Sequence, residues 1–181
     1  MIKNLKIKRG FTLIELLIAV SLFVVLVSIS IGAILSVFDA NKKSQSTKTV
    51  VDNLNLSIEN MARTVRFGNN YHCGSGGSFS SPQNCANGDT LLAVTFKGSV
   101  IVYRLNGTAI QISTNGGSSF TNITSADTTV EYLRFYVFGN PNSDTIQPYV
   151  FVVIKGYTGN RPTTQSSFLI ETLMSQRTLD I

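Results

Sequence analysis

Few residues in this chain of 181 could do chemistry. The only histidine, His72, stands beside Cys73, and the second cysteine, Cys85, follows after eleven intervening residues. A zinc centre needs three or four ligands, and a catalytic thiol needs a base within reach. There is no second His to serve, and no acid cluster accompanies these three residues. A disulfide is the other use for two cysteines in an exported segment, and closing this loop would stabilise the fold by about 3 kcal/mol in the chain-entropy account. The carboxylates Asp89, Asp127, Glu131, Asp144, Glu171 and Asp180 are scattered without a shared motif, so they suggest no acid–base pair. Gly116-Gly117 and the other glycine clusters are not followed by Lys-Ser/Thr and a helix, as a phosphate-binding loop would be, and they read as turns. No catalytic residue, metal or cofactor is expected, and the chain does not read as an enzyme.

Glu15 is the remaining acid of interest, because it opens a long apolar run. Thr12-Leu13-Ile14-Glu15 has the T-x-x-E spacing of a helix capping box, and an acid in the first turn suits the helix dipole. A carboxylate at the edge of hydrocarbon is costly without a partner, so the spacing also raises the question of what pairs with it.

The elements that position these residues follow from composition. From Leu16 to Phe38 there are 23 residues without a charge. At ~1.5 Å per residue they reach about 34 Å, enough to cross a hydrocarbon core about 30 Å thick. Lys3, Lys6, Lys8 and Arg9 precede the span and Asp39 follows it, which predicts a cytoplasmic N-terminus and an exported remainder. The formal charge of +5 belongs to this leader: outside residues 1–10, 11 basic side chains face 10 acidic ones. No basic face is left to track a phosphate backbone, so nucleic acid is not indicated as a partner.

Beyond the span, Val51, Leu54, Ile58, Met61 and Val65 recur at helical spacing among polar residues. No proline occurs before Pro82, and Gly68-Asn69-Asn70 supplies a stop. The pattern predicts a helix from about Phe11 to Phe67 whose second half packs on the protein's own sheet. Residues 71–89 read as a Gly/Ser/Asn-rich loop carrying both cysteines. Strands are expected at Thr90–Phe96, Val100–Leu105, Ala109–Ser113, Val130–Phe138, Tyr149–Lys155 and Phe168–Leu179, with Asn106-Gly107 as a hairpin turn and a loop holding Pro141 and Pro148. Their Val, Ile, Tyr and Phe content predicts an antiparallel sheet with one face on the helix. The N-x-S/T triplets at Asn55, Asn106 and Asn122 follow from the abundance of these residue types.

A basic leader ending in Gly10, followed by Phe11-Thr12-Leu13-Ile14-Glu15 and a long apolar run, resembles type IV prepilins and prepilin-like (pseudopilin) subunits. The resemblance implies cleavage by prepilin peptidase between Gly10 and Phe11 and N-methylation of Phe11. It also implies pairing of Glu15 with the Phe11 amine of a neighbouring subunit. The implied architecture is α+β: 1–10 a cleaved leader, 11–38 a membrane and filament-core helix, 39–67 its amphipathic continuation, and 68–181 an exported β-rich head. The implied partners are the peptidase, other pilin or pseudopilin subunits, inner-membrane assembly machinery and a separate cytoplasmic ATPase. The implied location is the inner membrane, then a pilus or pseudopilus. Gly32 stands where many major pilins carry a helix-kinking proline, which fits a minor or secretion-type subunit. The segment from Ser167 to Arg177 is similar to J-type minor pseudopilins. The rival reading is a monomeric, membrane-anchored extracytoplasmic binding module.

Overall fold

The structure, a computed structural model, describes residues 10–140, 146–159 and 165–177. The leader cations Lys3, Lys6, Lys8 and Arg9, together with Pro141, Asp144, Leu179 and Asp180, lie outside the described residues. The chain divides into two compact units, residues 1–42 and 43–181. The helix α1, Leu13–Phe67, contributes to both.

In the first unit α1 begins where its capping residues place it, with Thr12 as the cap rather than Phe11 as the first helical residue. It runs through Gly32 without interruption, and an added Cβ there would meet nothing. Ser21, Ser28 and Ser30 turn their hydroxyls back onto the carbonyls of Ile18, Val24 and Leu26, each at 2.8 Å. An apolar stretch can carry such serines because no polar group is left facing outward unbonded.

In the second unit α1 buries Leu54, Met61 and Val65 and half-buries Ile58. Val51 departs from the expected stripe: it is 49% exposed and outside the core cluster. Two polar residues that the periodicity does not single out, Ser57 and Thr64, are buried instead. Ser57 donates to Asn53 O and Ile123 O at 2.9 Å, and Thr64 donates to Asn60 O at 3.0 Å. Each hydroxyl is satisfied on the helix itself, which is what makes its burial tolerable.

The single sheet expected from the pattern is two. The strands are β1 (Asn69–Cys73), β2 (Cys85–Asp89), β3 (Leu91–Phe96), β4 (Ser99–Asn106), β5 (Ala109–Ser113), β6 (Thr121–Asn122), β7 (Thr128–Phe138), β8 (Tyr149–Thr158) and β9 (Ser166–Ser175). One sheet has the order β1-β3-β4-β5-β6 and the other β2-β7-β8-β9, with antiparallel pairing throughout. The segment 71–89 is therefore not all loop. It begins as the end of β1, paired with β3, and finishes as β2, paired with β7. Its polar composition hid both strands, because edge strands need few apolar side chains.

Leu92, Val94, Ile101, Tyr103 and Ile110 of the first sheet share one core with Val130, Leu133, Phe135, Val137, Val150, Val152, Ile154 and Met174 of the second, and with Met61 and Val65 of α1. Tyr103 donates to Thr64 Oγ1 at 3.0 Å, fastening β4 to the helix. Burial pushes the Tyr103 phenol above its ordinary range, opposed by that hydrogen bond. The helix stops where a side chain cannot follow. A Cβ on Gly68 would lie 2.4 Å from Val94 Cγ1 and 2.6 Å from Thr64 O.

Candidate functional site

The sequence places its chemistry in two regions, and they are structurally separate cases. The first is the junction Gly10–Phe11 and the start of α1. An added Cβ on Gly10 would meet no atom within 4 Å, and Gly10 does not take a left-handed backbone. Among the described residues nothing calls for glycine there. Phe11 is 89% exposed.

Thr12 and Glu15 form the complete capping box. The Thr12 N–H donates to Glu15 Oε2 at 2.9 Å and the Thr12 hydroxyl donates to the same oxygen at 2.8 Å. In return, the Glu15 N–H donates to Thr12 Oγ1 at 3.3 Å. Two of the helix's first free N–H groups are thus satisfied, and one carboxylate oxygen is held in place. Glu15 sits in a shallow groove of about 450 Å³ lined by Phe11, Leu16, Ala19, Val20 and Phe23. Small Ala19 stands between the two rings on that face, so the carboxylate lies in an otherwise apolar strip.

The helix that follows is long and apolar enough to cross a membrane over Leu13–Gln45. Every large apolar residue from Phe11 to Phe38 is exposed. Burying one such side chain is worth ~1.5–3 kcal/mol, so covering this surface with lipid or with neighbouring helices releases tens of kcal/mol. The requirement for a cover is the main energetic fact about this segment.

The second region is the cysteine loop. Cys73 and Cys85 are joined in a disulfide with Cα atoms 5.8 Å apart, tying β1 of one sheet to β2 of the other. Zinc ligation and thiol catalysis both require thiolates that this bond removes. His72 is 1% exposed, with Nδ1 2.8 Å from Ser81 O and Nε2 2.7 Å from Gly76 O. Phe79 packs edge-on against its ring at 5.5 Å. The imidazole serves as the hub on which residues 74–84 fold.

Asp89, Glu131 and Glu171, three of the scattered carboxylates, lie among the described residues. Asp89 accepts from the N–H groups of Thr90 and Leu91 at 2.6 and 3.3 Å, which starts β3 at Leu91 rather than Thr90. Glu59 lies 3.8 Å from Arg63 on the surface of α1. Glu131 and Glu171 stand exposed on β7 and β9. Among the described residues no three His, Cys, Asp or Glu side chains come together as a metal site. The Arg177 guanidinium lies over the Phe67 ring at 5.6 Å, and its N–H donates to Arg66 O at 2.8 Å.

Sequence reasoning missed Asn140, which is 3% exposed. Its carboxamide pairs with both the N–H and the C=O of Tyr71, as a strand would, joining the end of β7 to β1. An Asn between Gly139 and Pro141 reads as loop in the sequence, and no local signal marks it as buried.

Residues 5–31 match the family described as the prokaryotic N-terminal methylation motif. No curated protein and no solved structure matches the chain. The match spans the junction, the capping box and most of the uncharged run, and it ends well before the β-rich head. Over this N-terminal segment the chain is similar to type IV prepilins, with the N-terminal methylation motif running into the long apolar helix that leads to a two-sheet head.

Proposed function

We propose that this protein is a structural, non-catalytic subunit of a type IV pilus or a type II secretion-like filament, of the minor pilin or pseudopilin kind. Prepilin peptidase cuts between Gly10 and Phe11 and methylates the new Phe11 amine. Before the cut the four leader cations hold the N-terminus on the cytoplasmic side while Leu13–Gln45 anchors the chain in the inner membrane and the head lies outside. After the cut the helix leaves lipid for the filament core, where neighbouring helices cover the same surface.

The observation that carries this reading is the exposure of the apolar run together with a matched N-terminal methylation motif. A surface of that extent needs either lipid or copies of itself, and a filament subunit uses both in turn. Glu15 provides the selectivity. In an apolar surrounding its carboxylate is best satisfied by a cation, and cleavage creates one on the neighbour's Phe11. Methylation keeps that positive charge. A subunit at the wrong stagger leaves both charges unpaired, so the pairing fixes the register of assembly.

The capping box gives the test its contrast. Thr12→Ala removes the hydroxyl half of the box but leaves the carboxylate, whereas Glu15→Leu removes the carboxylate and leaves the Thr12 hydroxyl to cap the residue 15 N–H. Both variants are expected to insert in the membrane as wild type. Thr12→Ala should still enter fibres, and Glu15→Leu should be depleted from the sheared fibre fraction at least tenfold. Equal incorporation of Glu15→Leu and wild type would leave Glu15 with its capping role alone.

A further inference from the structure

The solvent face of the second sheet is unusually apolar for a surface. Its side chains form ladders across three strands: Phe138–Tyr149–Ser175, Tyr136–Phe151–Leu173, Arg134–Val153–Glu171 and Tyr132–Lys155–Leu169. Leu169 and Leu173 are 63% and 59% exposed and Tyr132 is 40% exposed. The rings are ordered against one another: Phe138 stacks on Tyr149 at 5.1 Å and Tyr136 leans on Phe151 at 5.9 Å. Gly88 of β2 makes room for the Tyr136 ring, whose Cε1 a Cβ there would approach to 2.6 Å. Such a face marks an interaction surface, and its charges select the partner. Arg134 and Lys155 are matched by Glu131 and Glu171, so it offers no net attraction to a polyanion.

The ladders are complementary to themselves. β8 is the middle strand, with an aromatic or cationic residue on its β7 side and an aliphatic, small or anionic residue on its β9 side in each ladder. We infer that this face docks a second copy of the chain about a two-fold axis running along β8. Under that operation Arg134 meets the partner's Glu171, Tyr136 meets the partner's Leu173, and Tyr132 meets the partner's Leu169. Val153, Phe151 and Tyr149 lie on the axis and meet themselves. Lys155 also meets its own copy, but at the end of the ladder nearest Glu131 its long side chain can swing toward water.

The axis direction keeps the two heads parallel. Thr47 Oγ1 is 2.8 Å from Ser166 Oγ, and Arg177 N–H donates to Arg66 O, so β9 runs alongside α1 from Thr47 to Arg66. β8 is antiparallel to β9, and an axis along it leaves residue 43 of both copies on the same side of the pair. Four ladders about 7 Å apart on three strands about 4.8 Å apart cover roughly 400 Å² per copy. That is ~800 Å² in total, below the ~1,200 Å² of stable complexes, so the pair needs the concentrating effect of a shared membrane.

This inference rests on reading Leu13–Gln45 as an anchor, and the experiment reports the two separately. Full-length Val153→Cys protein is reconstituted in phosphatidylethanolamine/phosphatidylglycerol vesicles, and flotation shows whether it is anchored. A bis-maleimide able to bridge sheets about 10 Å apart is then added. A crosslinked dimer is expected, falling at least tenfold with Glu171→Arg or Leu173→Lys and returning in the Arg134→Glu/Glu171→Arg double variant. The retained Cys73–Cys85 disulfide checks that each variant is folded. Floating protein without a Val153 dimer, a dimer indifferent to Glu171→Arg, or a double variant that stays monomeric would each overturn the inference. The face would then belong to a different subunit or to a neutral polysaccharide.

Discussion

Removing the disulfide should loosen the head in a measurable and local way. The perturbation is the double variant Cys73→Ala/Cys85→Ala in the full chain in detergent. The bonded residues are 12 apart in sequence. A closed loop of this size gives about 3 kcal/mol in the chain-entropy account. Cys73 is 1% exposed, so losing its sulfur adds a small cavity cost, of order 0.5–1 kcal/mol. For a unit of this size ~3.5 kcal/mol corresponds to a fall in melting temperature of roughly 12 °C. The assay is thermal unfolding followed by circular dichroism, with amide exchange to locate the change. Exchange should rise first in residues 74–84, where Cys73 N–H donates to Gln83 O and Gln83 N–H to Tyr71 O. A fall of less than about 3 °C would refute the reasoning, as would two reactive thiols on exported wild-type protein.

Three further outcomes follow from particular contacts. Gly68→Ala pushes a Cβ into Val94 and the Thr64 carbonyl and should cost about 2–3 kcal/mol, read as a shift in the denaturation midpoint; an unchanged midpoint would contradict the close approach. Gly10→Val should leave the head's melting curve unchanged, since a Cβ there meets nothing, while processing falls at least tenfold on a gel that separates precursor from mature chain. The phenol of Tyr103 is raised in the folded protein, so folding favours its protonated form. The stability from this group is present below the ordinary tyrosine value of about 10 and is lost as pH rises past it, because the unfolded chain gives up its proton first. Melting temperature should therefore fall above that pH, and less steeply in Tyr103→Phe; equal slopes would assign the loss to other groups.

The long helix was legible because its determinants are local. Thr12 and Glu15 write the cap, an uncharged run writes the span, and Gly68 writes the stop. The strands around Lys97-Gly98 and Asn106-Gly107 were legible for the same reason, since the turn residues bracket alternating apolar segments. What could not be read is long-range. β1 and β2 take their strand character from β3 and β7, and their own residues, Asn69–Cys73 and Cys85–Asp89, carry little of it. The split into two sheets depends on which edges pair, and Asn140 becomes structural only through Tyr71, far away in sequence. At the candidate site, Gly10, Phe11 and Glu15 were readable as a motif. The double hold of Thr12 on the carboxylate was readable only as a capping possibility until the geometry gave both bonds to one oxygen.

The central claim is that the chain is a processed filament subunit, and the mature N-terminus tests it most directly. Intact-mass and N-terminal peptide mass spectrometry of the protein recovered from its native membrane should give a chain that starts at Phe11 and carries one added methyl group. A chain still bearing Met1 to Gly10 would contradict the account and leave an anchored ectodomain in its place.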